Sequence, residues 1–271
     1  MSFQLEVLFI IEGKVICVGT ILADWYLTTF LITRKIHREV SIMQVNFVTV
    51  CTDNYPMYYA EKITNRFKDL TKLNLNYYCI TDRPEAVNGW AEPIAPFKKS
   101  KGWWNKINLF GPNMPNGWIL YMDVDIVITK NFDEEILTVI SGGKDINCVS
   151  DAIGWKGEKF SSSLMILKSG SRSEVFAKFV EDEHLLFGRE GGDQVWAGPL
   201  LGDINFIDET FPNLKKNLKF QLGQIQGGSL NLPRVLPSEI KLIDCSGDPK
   251  PHQLGAIHYV KENWHNVPPL V

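Results

Sequence analysis

The chain has 271 residues, of which 45% are apolar and 22% are charged, so it can bury a full core and is not disordered. A net charge of -3 argues against broad nucleic-acid binding, because duplex binding usually needs a basic face. The five cysteines are far apart and form no Cys-x-x-Cys pair. This excludes a zinc ribbon, disfavours a disulfide framework and favours a reducing, cytoplasmic compartment.

Residues 1–42 are interpreted as an N-terminal extension of uncertain role. Residues 15–33 are mostly apolar and a basic stretch follows them, but Asp24 interrupts the apolar run. One aspartate at the centre of a membrane span costs about 3 kcal/mol. The segment also lacks the basic start and the cleavage site of a signal peptide. We expect an accessory packed segment or a true start at Met43, and peripheral membrane association stays an alternative.

An ordered pattern of strands and helices begins at residue 45. The predicted elements are a buried strand at 45–51, a turn at 52–56, a helix at 57–70 with Tyr58, Ile63 and Phe67 inward, a strand at 75–80, a helix around 103–110 and a strand at 118–122. Strands that alternate with helices predict an α/β fold, with a mainly parallel sheet flanked by helices.

Polar side chains follow several of these strands, where ligands of parallel sheets bind. Asp53, Asn54 and Asp82 lie at two such ends, and Asp123 and Asp125 lie at a third. If residues 123–125 are extended, both carboxylates point the same way and need a cation or a proton between them. Carboxylate oxygens suit Mg²⁺ or Mn²⁺. The alternative is a chance Asp-x-Asp triplet without function, since about one is expected in this composition.

Five segments resemble a known family in its own order. Residues 118–133, which contain Tyr-Met-Asp-Val-Asp, resemble the Asp-x-Asp region of GT-A glycosyltransferases, and they look closest to family 8, the glycogenin and lipopolysaccharide galactosyltransferase type. The turn at 52–55, the strand Phe-Ser-Ser-Ser-Leu-Met-Ile at 160–166, Gly-Asp-Gln at 192–194 and Gly-Asp-Pro-Lys-Pro at 247–251 are similar to four further family segments. The resemblance covers residues 43–265 and implies a GT-A domain over 43–271.

The resemblance implies an activity and a role for each matching residue. The activity is metal-dependent transfer of a glycosyl unit from a nucleotide diphosphate sugar, with a UDP-sugar expected, to a saccharide or other hydroxyl acceptor, with retention of configuration. The implied donor-binding residues are Cys51, Thr52, Asn54, Lys106, Asp123, Gly247 and Lys250. The implied Mn²⁺ or Mg²⁺ ligands are Asp123, Asp125 and Asp244. The implied catalytic residues are Asp193, Gln194 and Lys250.

The sequence departs from the family at the third metal ligand. The family has a histidine three residues before the glycine of the phosphate loop, and this chain has Asp244 there. Aspartate also binds Mg²⁺ or Mn²⁺, so a three-carboxylate set remains a prediction, with His252 and His258 as nearby substitutes. Structural alternatives stay open at other positions: Asp193 suits a helix N-cap, and at least one of Trp103 and Trp104 suits the core.

Two other functions compete with glycosyl transfer. A sugar nucleotidyltransferase has a related fold, but it normally carries a Gly-rich basic loop after the first strand, and residues 52–56 are Thr-Asp-Asn-Tyr-Pro here. A non-catalytic carbohydrate-binding protein on the same fold is the third reading, and the change at Asp244 leaves room for it. Donor hydrolysis with and without Mn²⁺ distinguishes a binding protein from an enzyme.

Overall fold

The structure is a computed structural model that describes residues 9–11, 14–16, 44–52, 55–152, 154, 157–186, 192–226 and 229–266. The chain divides into two compact units, residues 1–43 and 44–271. In the first unit, strands β1 (Phe9–Ile11) and β2 (Lys14–Ile16) pair antiparallel. The rest of the predicted extension lies outside the described residues. No helix in the described part of the chain is long and apolar enough to cross a membrane.

The second unit alternates strands with helices. Its strands are β3 (Val45–Val50), β4 (Leu75–Ile80), β5 (Glu92–Ile94), β6 (Trp118–Met122), β7 (Ile126–Ile128), β8 (Ile146–Ser150), β9 (Phe160–Lys168), β10 (Asn205–Phe206), β11 (Lys215–Asn217), β12 (Gln224–Gln226), β13 (Ser229–Asn231) and β14 (Leu242–Asp244). Its α-helices are α1 (Tyr58–Leu70), α2 (Asp133–Ser141), α3 (Ser173–Leu186), α4 (Gly192–Leu201), α5 (Ile207–Thr210) and α6 (His258–Val260), with short 3₁₀ or π turns at Pro84–Ala86, Gly102–Phe110, Leu218–Leu222, Pro251–Gln253 and Lys261–His265.

The central sheet has seven strands in the order β10-β8-β9-β6-β3-β4-β5. Its pairings are parallel except for those of β9, which runs antiparallel to both β6 and β8. The mainly parallel mixed sheet that was predicted from the alternation of elements is therefore confirmed. The parallel strands β3, β4 and β6 bring their carboxyl ends to one edge, where the predicted site residues follow.

Alternating side chains of the strands divide the core into two layers. On β3, Val45 and Phe47 belong to one cluster and Val48 and Val50 to the other, as expected for a strand buried on both faces. The first cluster packs against α1 and α2, and the second against α3, α4 and Trp104. The result is a sheet with helices on both faces.

Helix α1 corrects one detail of the sequence-based expectation. Ile63 and Phe67 are buried as predicted, but Tyr58 is 41% exposed and Tyr59 is buried in its place. Because neighbouring helical residues lie about 100° apart, a shift of one residue moves an aromatic ring from the core to the surface. Tyr58 is thereby available to line a cavity.

A second, three-stranded sheet carries the late part of the site. Strand β14 pairs parallel with β11 and antiparallel with β7, and Asp244 lies opposite Ile126. The backbone N–H of Cys245 also donates to the carbonyl of Asp125, at 3.3 Å. Two stretches more than a hundred residues apart in sequence are thus neighbours in this sheet.

Candidate active site

Asp123 follows β6 directly, and a lysine holds its carboxylate. The Asp123 backbone N–H donates to the Ser163 carbonyl at 2.9 Å, which fixes the residue beside β9. The Lys106 Nζ lies 2.8 Å and 2.9 Å from the two carboxylate oxygens and donates to the Ser162 Oγ at 3.2 Å. Burial alone would lower the pKa of Lys106, but the charges of Asp123 and Asp193 outweigh it and raise that pKa. Lys106 is therefore a charged, well-anchored partner of Asp123.

Asp125 lies in a turn, because the Ile126 N–H donates to the Asp123 carbonyl at 3.1 Å. The extended geometry that would align both carboxylates is therefore absent at this point. The Lys250 Nζ donates to the Asp125 Oδ2 at 2.5 Å, and the Tyr55 hydroxyl donates to the same oxygen at 3.3 Å. Burial, with the charge of Asp123, raises the pKa of Asp125. The Asp125 carboxylate in turn raises the pKa of Lys250 above its usual range, against the effect of burial.

Asp244 ends β14 and is paired with a lysine that sequence reasoning missed. The Lys215 Nζ donates to the Asp244 Oδ2 at 2.6 Å and to the Ser163 Oγ at 2.8 Å. Both side chains of the pair are only 6% exposed. Burial would raise the pKa of Asp244, but Lys215 and the hydrogen bonds from Lys215 and Ser246 lower it to about 2. The sequence gives no local signal for this pair, because its members lie on different strands.

A cavity of about 390 Å³ lies beside these pairs, and we call it the charged cavity. Its wall contains Lys106, Lys215 and Asp244, together with Asp193 and Gln194 from the start of α4. Polar groups from four separate stretches of the chain therefore face one space. Residues that also line it are Trp103, Asp151, Ala152, Ser161, Ser163, Gly192, Asn217, Phe220 and Ser246.

A second cavity, of about 370 Å³, has a different wall, and we call it the aromatic cavity. Tyr55, Tyr58 and Tyr59 line it, with Lys250 as its cation, alongside Pro56, Trp103 and His252. Trp103 lines both cavities and is 57% exposed, whereas Trp104 is buried in the core, as predicted for one of the two tryptophans. The two spaces therefore meet at the Trp103 ring.

The Gly-Asp-Gln segment supplies two predicted catalytic residues to the charged cavity. Gly192 has φ +60°, and a Cβ at this position would overlap the Trp103 indole, so glycine allows the close contact. Asp193 is buried, and its charge acts on Lys106. The Gln194 Oε1 accepts from the Ser162 N–H at 3.2 Å, which anchors the side chain to β9.

The predicted donor-binding residues Cys51 and Thr52, which follow β3, are buried and do not line either cavity. Cys51 is fully buried in the hydrophobic core and lines neither cavity. Thr52 is buried, and its hydroxyl accepts from the Asn105 side chain at 3.0 Å. Arg83, another residue that sequence reasoning missed, donates to the carbonyls of Thr52 and Tyr55, each at 3.0 Å, and so holds the turn. The predicted role of Asn54 lies outside the described residues.

Gly247 in the predicted phosphate loop has φ +71°. A Cβ atom at this position would lie 2.5 Å from the Lys219 Nζ. The positive φ therefore favours glycine here, whereas the flexible Lys219 side chain could move aside. Lys219 therefore places a further positive charge beside the predicted phosphate loop. The loop ends at Lys250, which reaches Asp125.

The three predicted metal ligands do not form an open cation site. Both oxygens of Asp123 accept from Lys106, both oxygens of Asp244 accept from protein groups, and Asp125 accepts from Lys250. Two unit charges about 4 Å apart repel by about 4 kcal/mol at an effective dielectric constant of about 20, and a divalent ion doubles this repulsion of an ammonium. Among the described residues, no group of three His, Cys, Asp or Glu side chains is arranged to hold a metal ion.

The two histidines named as substitutes do not complete a metal site either. The His252 ring is hydrogen-bonded to the Tyr59 hydroxyl in the aromatic cavity. His258 is exposed and lies 3.3 Å from Glu262. The predicted Mn²⁺ or Mg²⁺ therefore stays a prediction that this arrangement of carboxylates does not support.

No protein-family model matches the sequence, and no curated protein matches it. Solved structures do match. The glycosyltransferase GlyE of Streptococcus pneumoniae TIGR4 aligns with a TM-score of 0.51 at 14% identity, over 64% of this chain and 47% of GlyE. The galactosyltransferase LgtC, in complex with donor and acceptor sugar analogues, aligns with a TM-score of 0.55 at 14% identity, over 80% of this chain and 93% of LgtC. An active-site mutant of LgtC aligns at 0.53 with 11% identity, over 82% and 97%.

These likenesses confirm the predicted fold: the chain has the GT-A fold of the glycosyltransferases GlyE and LgtC. It spans 47% of GlyE, about half, and 93% of LgtC. At 14% identity or less, the fold is what these similarities establish. The function of this chain therefore has to be inferred from the residues of its own cavities.

Proposed function

We propose that this protein transfers a glycosyl unit from a nucleotide diphosphate sugar to a hydroxyl group of a saccharide or other acceptor. The observation that carries this function is the junction of the two cavities at Trp103, beside Lys250 and the carboxyl ends of the parallel strands. An aromatic wall suits the flat face of a nucleobase, and a wall of hydrogen-bonding groups suits a sugar. One donor molecule would therefore span both.

In the bound donor, Lys250 would contact the diphosphate between the two cavities. Among the residues that the structure describes, its ammonium donates to Asp125 and to the Tyr55 hydroxyl, at 3.0 Å, so a third N–H is left for a ligand oxygen. Asn54 and Gly247 would contribute to the nucleoside and phosphate side, while Lys106 would hold Asp123 in place for a contact with the ribose. The buried Thr52 would support that side through its hydrogen bond with Asn105. The buried position of Cys51 restricts it to support of the turn.

The reaction breaks the bond between the anomeric carbon and the diphosphate oxygen, which leaves with the electron pair. The acceptor oxygen forms the new bond to that carbon, and its proton passes to the released diphosphate. Lys250 would stabilise the charge that develops on the leaving diphosphate, and such positioned electrostatics usually make the largest contribution to catalysis. Asp193 and Gln194 would face the sugar and the acceptor. The family resemblance adds retention of configuration, which NMR of the product's anomeric signal would test.

LgtC offers one further support for these roles. It has been solved as an active-site mutant in which a glutamine is replaced by glutamate, so a glutamine belongs to that enzyme's active site. Gln194 is the glutamine in the wall of the charged cavity here. The donor and acceptor sugar analogues bound to LgtC likewise favour saccharide ligands on this fold.

The test is a screen of UDP, GDP and CMP sugars for nucleotide release, with a panel of mono- and disaccharide acceptors, in Mn²⁺ and in EDTA. We expect one donor class to be cleaved faster when an acceptor is added. Binding of a nucleotide sugar without release of the nucleotide would instead favour a carbohydrate-binding protein. This is the second candidate function because lysines pair with the carboxylates that were predicted to bind a metal. Absence of both binding and release would overturn the proposed function.

We also propose that the protein works in a reducing, cytoplasmic compartment. Cys51, Cys79, Cys148 and Cys245 are buried and form no disulfide. Burial raises the pKa of the Cys51 thiol to about 11, which keeps it protonated and unreactive. Peripheral membrane association through residues 1–42 stays a prediction.

A further inference from the structure

We propose that Lys215 supplies, as a buried ammonium, the positive charge that a divalent cation was predicted to bring to the donor diphosphate. This inference rests on the proposed function and departs from the metal dependence that the family resemblance implies, because donor binding and turnover need no added metal. It comes from the arrangement of three lysines on the three predicted metal ligands. The carboxylates in this arrangement fit ammonium groups better than they fit a divalent metal ion.

The position of Lys215 is specified by both sheets. Strand β11 is three residues long, and its outer positions, Lys215 and Asn217, are buried while Lys216 between them is partly exposed. The parallel pairing of β11 with β14 sets Asn217 opposite Asp244, so Lys215 reaches the Asp244 carboxylate diagonally. A lysine buried to this degree is rare unless it is paired with an acidic group, and Lys215 is paired with Asp244.

The Lys215 ammonium has one donor left for a ligand. An ammonium carries three N–H groups. Among the described residues, Lys215 donates to Asp244 and to Ser163, and it lines the charged cavity. Lys106 differs, because its three contacts, two to Asp123 and one to Ser162, use all three N–H groups. Lys106 therefore positions Asp123, whereas Lys215 faces a bound anion.

A hydrogen-bond chain connects Lys215 with the sugar side of the cavity. The Ser163 Oγ is 2.9 Å from the Ser161 Oγ, which donates to the Gln194 Oε1 at 3.5 Å. Ser161 and Ser163 lie two apart on β9 and so face the same side of the strand. The three-serine run that the sequence singled out thus links a phosphate-binding ammonium to a residue at the reacting sugar.

Lys215 and Lys250 lie on two adjacent carboxylates. Asp244 is opposite the residue that follows Asp125, and the two carboxylates affect each other electrostatically. Lys215 lines the charged cavity and Lys250 the aromatic cavity, so a diphosphate at the junction of the two would receive different ammonium groups on different oxygens, as it would from a divalent ion. Arginine and lysine side chains are established partners of phosphate in water-excluded sites.

The experiment measures binding of UDP, GDP and CDP by calorimetry to the full chain, in Mn²⁺ and in EDTA, and turnover of the matching sugar nucleotides. We expect one diphosphate to bind nearly as tightly in EDTA as in Mn²⁺. Lys215→Met should weaken that binding by about tenfold or more, the value of one charge-assisted hydrogen bond. Lys216→Met, on the same strand but partly exposed, should leave binding unchanged.

Asp244→Asn separates the two models, because they predict opposite signs. If Asp244 is a metal ligand, this isosteric change weakens diphosphate binding. If Asp244 serves as the counter-ion of Lys215, the change releases the ammonium, and binding in EDTA is retained or strengthened. Should Lys215→Met fail to fold, the double variant Lys215→Met/Asp244→Leu removes both charges of the pair and should fold, yet bind diphosphate as weakly as expected for the single change.

Binding and turnover that EDTA abolishes and Mn²⁺ restores would overturn this inference and leave the proposed function intact. Absence of binding and turnover for every nucleotide in both conditions would overturn the proposed function, and the inference with it.

Discussion

The two cavities are nearly equal in volume, about 390 and 370 Å³, but they differ in their wall residues. The charged cavity is built from Lys106, Lys215, Asp193 and Asp244, which come from separate strands, turns and helices. The aromatic cavity takes its tyrosines from one short stretch at the start of α1. This difference shows that the location of a cavity at the edge of the sheet does not determine which ligand it binds. The wall residues do, and we propose that they divide a donor into a base side and a sugar side.

The largest expected effect is on the charged cavity. Asp193→Asn should lower the rate of transfer by about 10²- to 10⁴-fold, because it removes a buried carboxylate that we propose faces the reacting sugar. Affinity for the nucleoside diphosphate should change much less than the rate, since Lys215 and Lys250, and not Asp193, are the proposed partners of the diphosphate. Steady-state kinetics and calorimetry measure the two quantities.

Asp203→Asn is the matched control for that variant, because Asp203 is an exposed carboxylate in a surface pair with Lys144. It should leave both the transfer rate and the affinity unchanged. An equal loss in both variants, or a loss of affinity without a loss of rate in Asp193→Asn, would contradict the division of roles between the cavities.

A smaller effect is expected on the aromatic cavity. Tyr58→Ala should weaken nucleoside diphosphate binding by about 5- to 150-fold, since stacking on an aromatic ring contributes about 1–3 kcal/mol per base. Tyr58 is 41% exposed, so its removal should not disturb the core. The transfer rate at saturating donor should not change, and Phe97→Ala, an exposed ring outside the cavity, is the control. A fall in the saturated rate would mean that Tyr58 acts at the sugar.

The smallest effect concerns the wall that separates the cavities. Gly192→Ala and Gly143→Ala both put a side chain at positive φ, which costs about 1–2 kcal/mol. A Cβ at Gly192 also meets the Trp103 indole, whereas a Cβ at Gly143 meets nothing within 4 Å. We therefore expect the larger loss of unfolding free energy in Gly192→Ala, measured by denaturant titration. Equal losses would show that Trp103 moves away without cost.

Much of the fold could be predicted from local sequence. The strands β3, β4 and β6 are short apolar runs that end in polar turns, and the structure has them within one residue of the predicted bounds. Helix α1 also begins and ends near its predicted limits, although Tyr58, predicted to point inward, lies at the surface and Tyr59 is buried. Periodicity fixes the type of an element well and its rotation less well.

The site was harder to predict, because its chemistry depends on pairs that are distant in sequence. The carboxylates of Asp123, Asp125 and Asp244 were identified, but their lysine partners could not be matched to them by spacing. Lys215 is 29 residues from Asp244, and only the register between β11 and β14 brings them together. Three aspartates from two stretches of the chain therefore indicated a metal ion, and the structure pairs each of them with a lysine ammonium group.

The most direct test of the account is a crystal structure of the full chain with the nucleoside diphosphate that binds most tightly, grown in EDTA. The account predicts the base against the tyrosines of the aromatic cavity and the diphosphate within hydrogen-bond distance of both Lys250 and Lys215. A base in the charged cavity, or a diphosphate that contacts neither lysine, would contradict it.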